Sequence, residues 1–172
     1  LIPKPLHRTG LRIAHALRRQ WWQVRAPRLS GCRIVALDDE GQVLLIRHSY
    51  GSGLWMPPGG GLARGESALA AARRELAEET GCHLTGALLI TVVKEDLHRA
   101  QNQVHIVGGR AAGPPVADGR EVIEAAFFAA DALPADLPHR LRAPLAEWIT
   151  AVTAAHPFRG AGRPDRSPGP TE

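Results

Sequence analysis

The sequence predicts an α/β layered domain, with α/β or α+β connectivity, on three observations. β-rich runs precede and follow one well-marked central helix, helical patterns stand at both ends, and 172 residues suit a single core with appendages. Apolar residues make up 44% and charged residues 22%, which excludes a disordered chain and allows a real core.

From Thr9 to about Val24 the apolar positions Leu11, Ala14, Leu17 and Trp21 recur at helical spacing with arginines between them, and Pro27 closes the segment. Arg33 to Asp38 and Gln42 to Arg47 read as strands around the turn-forming Asp38-Asp39-Glu40-Gly41, which predicts a hairpin. His48 to Gly61 is loop by composition, with five glycines and two prolines. Ser67 to Thr80 reads as a helix because Leu69, Ala72, Leu76 and Thr80 share a stripe, the alanines favour helix, and Gly81 is placed to end it. Strands are expected over Leu84 to Glu95, Gln103 to Arg110 and Glu121 to Ala129, with a Pro/Gly loop from Gly113 to Gly119 and a last helix over Leu141 to Ala154. From Pro157 the apolar periodicity stops, which predicts a disordered tail. The division is thus a basic helical extension over 1–29, a folded domain over 30–156 and a tail over 157–172.

The longest uncharged apolar run, Ala87 to Val93, is far short of the ~20 residues that cross a bilayer, and no hydrophobic block with a cleavage site follows the first residues. Cys32 and Cys82 read as reduced thiols, so a cytoplasmic location is expected. The net charge of +4 is unevenly spread: residues 1–37 hold eight basic and no acidic residues, leaving the body mildly acidic. Nucleic acid is therefore not the expected main partner. The basic segment with Trp21 and Trp22 has four readings: a stripe docked on the domain or on a second subunit of a homodimer, RNA binding, contact with an anionic membrane through residues 1–28, or, in a eukaryotic source, a segment that resembles a mitochondrial transit peptide.

The chemistry is written on the central helix. Glu75, Glu78 and Glu79 stand at i, i+3 and i+4, so they share an arc of roughly 100° and repel one another near the negative end of the helix dipole. A divalent cation reverses that cost, because Mg²⁺ takes oxygen ligands from a few carboxylates and from substrate phosphate. Just upstream, Gly59, Gly60 and Gly61 let backbone approach metal or phosphate closely. Taken singly, a glutamate pair reads as a solvated face and a glycine triplet as a turn.

Together, Gly60, Glu66, Arg74, Glu75, Leu76, Glu78, Glu79 and Gly81 form Gly-x5-Glu-x7-Arg-Glu-Leu-x-Glu-Glu-x-Gly. This resembles the signature box of the Nudix hydrolases, and the order of elements around it extends the resemblance over most of residues 30–155. The resemblance implies an α/β/α sandwich with a mixed central sheet and hydrolysis of a nucleoside diphosphate linked to another group, with Mg²⁺ or Mn²⁺ as cofactor. It implies that Glu75, Glu78 and Glu79 hold metal, that Glu75 is a candidate base, that the Gly59 carbonyl is a ligand, and that Glu66 and Arg74 orient the ligands through an ion pair. A further carboxylate from outside the box is expected, with Glu121 first and Glu124 second. Cys82 replaces a branched aliphatic, and Pro57 stands where the family commonly has a large apolar residue before Pro-Gly-Gly.

The expected substrate is a small nucleoside diphosphate derivative, with Gly60 and Gly61 near its phosphates. Arg47, His48, Tyr50 and Trp55 are placed to stack on or pair with a nucleotide or, equally, to pack the sandwich edge. His98, Arg99 and His105 read as structural or exposed. A catalytically silent binding or regulatory module is the remaining alternative, although all box glutamates are present.

Overall fold

The computed structural model describes residues 29–97 and 100–156. The expected N-terminal helix, the tail, His98 and Arg99 lie outside the described residues. The elements are β1 (Leu29–Leu37), β2 (Val43–His48), β3 (Trp55–Met56), α1 (Ala68–Thr80), β4 (His83–Leu97), β5 (Ala100–Ala112), β6 (Val122–Phe128) and α2 (His139–Ala155). They form a six-stranded mixed sheet of order β3-β2-β1-β5-β4, with β6 paired to β2. β1 and β5 run parallel over nine register pairs, and the other pairings are antiparallel.

Strand alternation sorts the side chains of β1 into two cores. Cys32, Ile34 and Ala36 face α1 and pack with Leu44, Ala71, Ala72, Leu76 and Val107. Val35 and Leu37 face the other way, onto Leu145, Trp148, Ile149 and Val152 of α2. The sheet therefore has a helix on each face, the α/β/α layering expected from the sequence. Within the second core, bare Gly108 lets Val152 and Ile90 come close, because a Cβ there would overlap both. Among the described residues, no helix is long and apolar enough to cross a membrane.

Three local expectations need correction. The predicted hairpin closes over a single register pair, Leu37↔Val43, and then splays. The cause is competition for the facing edges: β3 pairs with Ile46 and Arg47 of β2, and the carbonyls of Pro58 and Gly60 accept from Ile34 and Cys32 of β1. The loop over 48–61 contains the short strand β3, held to Ile46 and Arg47 of β2. Glu121 precedes β6 rather than beginning it, because the turn that ends at Val122 is tied by the Asp118 side chain.

Candidate active site

The approach to the central helix is fixed as an extra strand-like segment beside β1. The Pro58 carbonyl accepts from Ile34 N–H at 2.8 Å, the Gly60 carbonyl from Cys32 N–H at 2.8 Å, and Leu62 N–H donates to the Ser30 carbonyl at 3.0 Å. Pro58 is compatible with this pairing because its position supplies an acceptor and needs no donor. The glycines are required by proximity. A Cβ at Gly59 would overlap the Cys32 carbonyl, and one at Gly60 would overlap the Glu75 carboxylate.

Helix α1 then presents the acids. Its start is capped by Ser67, whose Oγ accepts from Ala70 N–H at 3.2 Å, and its end by Gly81 in the left-handed region at φ 70°. Leu76, Ala71 and Ala72 anchor the helix in the core. On the adjoining arc Glu79 is buried, Glu75 half-buried and Glu78 exposed.

Arg74 is the organising cation of this surface. Its Nε donates to Glu66 Oε1 at 3.0 Å and its Nη2 to Glu66 Oε2 at 2.9 Å, a two-point pair. Nη1 donates to Glu75 Oε1 at 2.8 Å and reaches Glu78 Oε2 at 3.4 Å, while Nη2 also meets the Gly61 carbonyl at 3.2 Å. The guanidinium pulls the Glu66 carboxyl down to about 2, helped by the Ala63 N–H, and is itself held more firmly protonated.

Burial has the opposite effect on the two deeper acids. Desolvation pushes Glu79 up to about 8 against the pull of the Gly59 N–H, which donates to its Oε2 at 3.0 Å. Negative charge on Glu75, Glu121 and Asp118 pushes it further. Glu75 is also raised, first by burial, with Arg74 opposing and Glu78 and Glu121 adding. His48 Nε2 lies 3.9 Å from Glu79 Oε1.

Glu75, Glu78, Glu79 and Glu121 line one cleft of about 220 Å³ together with Asp118 and Arg120. Sequence reasoning missed the last two, which lie in the Pro/Gly loop and its continuation and reach the cleft only through tertiary folding. Asp118 acts on the loop by accepting from the N–H groups of Arg120, Glu121 and Val122 at 2.9, 3.3 and 2.8 Å. Ser49 ties the same loop to the end of β2: its N–H donates to the Glu121 carbonyl and its Oγ to the Arg120 carbonyl.

The structure does not bring every candidate here. Arg47 lies on the opposite face of β2 from His48, where it stacks over Trp55 at 4.9 Å and pairs with Asp136 at 2.7 Å and Glu124 at 3.6 Å. Glu124, the second choice for the extra carboxylate, is thus joined to Arg47. Tyr50 stacks on His48 with ring centroids 4.9 Å apart, and both line a second cleft of about 500 Å³ with Ser49, Gly51, Ser52, Gly53 and Ile123. His105 Nδ1 lies 3.1 Å from the Gly31 carbonyl, a structural contact.

The donor set fits a hard divalent cation, since the cleft offers carboxylate oxygens and no sulfur. Among the described residues, no group of three or more His, Cys, Asp or Glu side chains stands assembled as a metal cage.

Comparison with known proteins gives the same picture. The NUDIX domain family model matches residues 27–152. The chain is 48% identical over 63 residues to a protein of Bartonella bacilliformis named "RNA pyrophosphohydrolase", covering 32% of this chain and 37% of that protein. It is 32% identical over 114 residues to a Bacillus subtilis protein named "Putative 8-oxo-dGTP diphosphatase", covering 65% of this chain and 74% of the other. Among solved structures, the MutT NUDIX hydrolase of Burkholderia pseudomallei superposes with a TM-score of 0.60 at 28% identity, over 69% of this chain and 95% of that one. The MutT protein of Methanosarcina mazei superposes at 0.63 with 21% identity, over 74% and 96%, which speaks for the fold.

Proposed function

The chain belongs to the NUDIX family of pyrophosphohydrolases, and from that premise we propose that it is a divalent-cation-dependent hydrolase of nucleoside diphosphates linked to another moiety. The bond cleaved is the pyrophosphate. The observation that carries this reading is the gathering of Glu75, Glu78, Glu79, Asp118 and Glu121 around one small cleft, with burial pushing Glu79 up to about 8. Such crowding is unfavourable for carboxylates alone and suits them as ligands.

In this reading Glu75, Glu78 and Glu79 would hold Mg²⁺ or Mn²⁺ with the Gly59 carbonyl, and Glu121, which lines the same cleft, would complete the set. When bound, the cation supplies neutralisation of the diphosphate charge and acidifies water. Glu75, raised above the ordinary carboxylate range and half-buried, takes the proton as water attacks phosphorus in line with the leaving phosphate. Arg74 and Glu66 keep Glu75 aimed. Gly60 and Gly61 leave backbone open to the phosphates, and the adjoining cleft beside His48 and Tyr50 receives the base or the linked group. The names of the two relatives, one acting on RNA and one on 8-oxo-dGTP, support a phosphoanhydride next to a nucleoside. Arg47 is left out of this scheme because Asp136, Glu124 and Trp55 occupy it.

The test is phosphate or nucleotide release from a panel of nucleoside diphosphate derivatives, with Mg²⁺ or Mn²⁺ present and with chelator. Cation-dependent hydrolysis of at least one compound is expected. No turnover on any member by pure, folded protein contradicts the proposal.

A further inference from the structure

Arg120 is the only basic residue among the six that line the carboxylate cleft. Its position is fixed from the backbone: the N–H donates to Asp118 Oδ1 at 2.9 Å and the carbonyl accepts from Ser49 Oγ at 2.7 Å. Its side chain is exposed and, among the described residues, forms no ion pair with Glu75, Glu78, Glu79, Asp118 or Glu121. The other arginine of the region is differently engaged. Arg74 spends its donors on Glu66, Glu75, Glu78 and the Gly61 carbonyl, so it has little left for a ligand.

A guanidinium that stands beside several carboxylates and is tied to none of them retains its planar fork of donors, which matches phosphate oxygens in pairs. The anchored turn places that fork at the cleft without fixing its far end. Cations held by the acids would approach the substrate phosphates from the helix side, and an arginine on the loop would face the same phosphates from across the cleft. A charge reaching a polyphosphate from that second side adds binding that the carboxylates cannot supply.

We infer that Arg120 is a substrate-contacting residue of this site, which grips an oxygen of the substrate's diphosphate through its guanidinium. The inference rests on the hydrolase reading above and adds the group that recognises the anion. Arg120 takes no proton and holds no cation. Its contribution is uniform binding of the phosphate charge, so loss of the side chain should appear mainly in KM.

The experiment uses the full chain and two readouts. For Arg120→Ala, Arg120→Lys and the wild type, kcat and KM are measured on whichever nucleoside diphosphate derivative the wild type hydrolyses. Binding of α,β-methylene-ADP in the presence of Mg²⁺ is measured by calorimetry at two salt concentrations, and Mn²⁺ binding alone is followed by paramagnetic resonance. Loss of a charged hydrogen bond predicts that Arg120→Ala raises KM and weakens analogue binding about tenfold or more, while kcat stays within about threefold. The lysine variant should recover part of the binding, the salt dependence should shrink in the alanine variant, and Mn²⁺ affinity should be unchanged. Analogue binding by Arg120→Ala equal to that of the wild type overturns the inference. Loss of Mn²⁺ binding in that variant also overturns it, because the residue would then act on the acid cluster. A wild type that binds the analogue through Arg120 and hydrolyses nothing would sink the hydrolase reading and leave Arg120 as the phosphate contact.

Discussion

The Cα of Gly60 lies so close to the carboxylate of Glu75 that any Cβ at position 60 would overlap it. The glycine is thus a geometric condition on the acid. The loop reaches this position because Gly60 accepts from Cys32 N–H, and the helix holds Glu75 there through Arg74.

Gly60→Ala is expected to push the Glu75 carboxylate away and to lower kcat/KM about 100-fold, the usual result of displacing a reacting group by about an ångström. The melting temperature should change little, since the atom displaced is the far end of a side chain. Steady-state kinetics beside thermal melting checks both halves, and full activity in the variant would dissociate the glycine from the acid.

Arg74→Lys keeps the charge and loses the fork. One ammonium cannot meet both oxygens of Glu66 and also hold Glu75, so turnover should fall roughly 10- to 100-fold, as when groups that orient ligands are removed. The neighbouring exposed Arg73 is the control, and Arg73→Lys should behave as wild type. Equal kinetics for the two variants would remove Arg74 from its positioning role.

The shifts of Glu79 and Glu66 have opposite signs in stability. Glu79 is raised from 4.5 to about 8, so its contribution favours the folded state in full below 4.5 and is lost as pH rises through about 8. Glu66 is lowered from 4.5 to about 2, so its contribution is present above 4.5 and is lost as pH falls toward 2. With chelator present, the melting temperature of the wild type should therefore fall between pH 5 and pH 8 more steeply than that of Glu79→Gln. Parallel curves for the two proteins would mean that Glu79 is not the strained acid.

Much of the site was legible because its signals are local. The alanines, Leu76 and Gly81 mark the stripe and the end of α1, and the structure places the helix at Ala68–Thr80 with Gly81 as its C-cap. The glycine run, the acids and the Arg74/Glu66 spacing lie within one short stretch of chain. What escaped depends on long-range pairing. Asp118 and Arg120 enter the cleft because β6 pairs with β2 and Ser49 ties the preceding loop, which no local pattern announces. β1 and β2 look like a full hairpin until β3 and the segment over 58–62 take their facing edges. Of the two readings open for Arg47, nucleotide contact or packing of the sandwich edge, the sequence could not choose, because Asp136 and Glu124 reach it only through tertiary folding.

The account turns on cations settling among the carboxylates of α1, and isothermal calorimetry of Mg²⁺ and Mn²⁺ with α,β-methylene-ADP present tests this most directly. Saturable uptake is expected, with protons released as Glu79 gives up its own, and with uptake much weakened in Glu78→Gln while that variant stays folded and loses most turnover. No uptake by the wild type, or uptake and turnover unchanged in Glu78→Gln, would contradict the account.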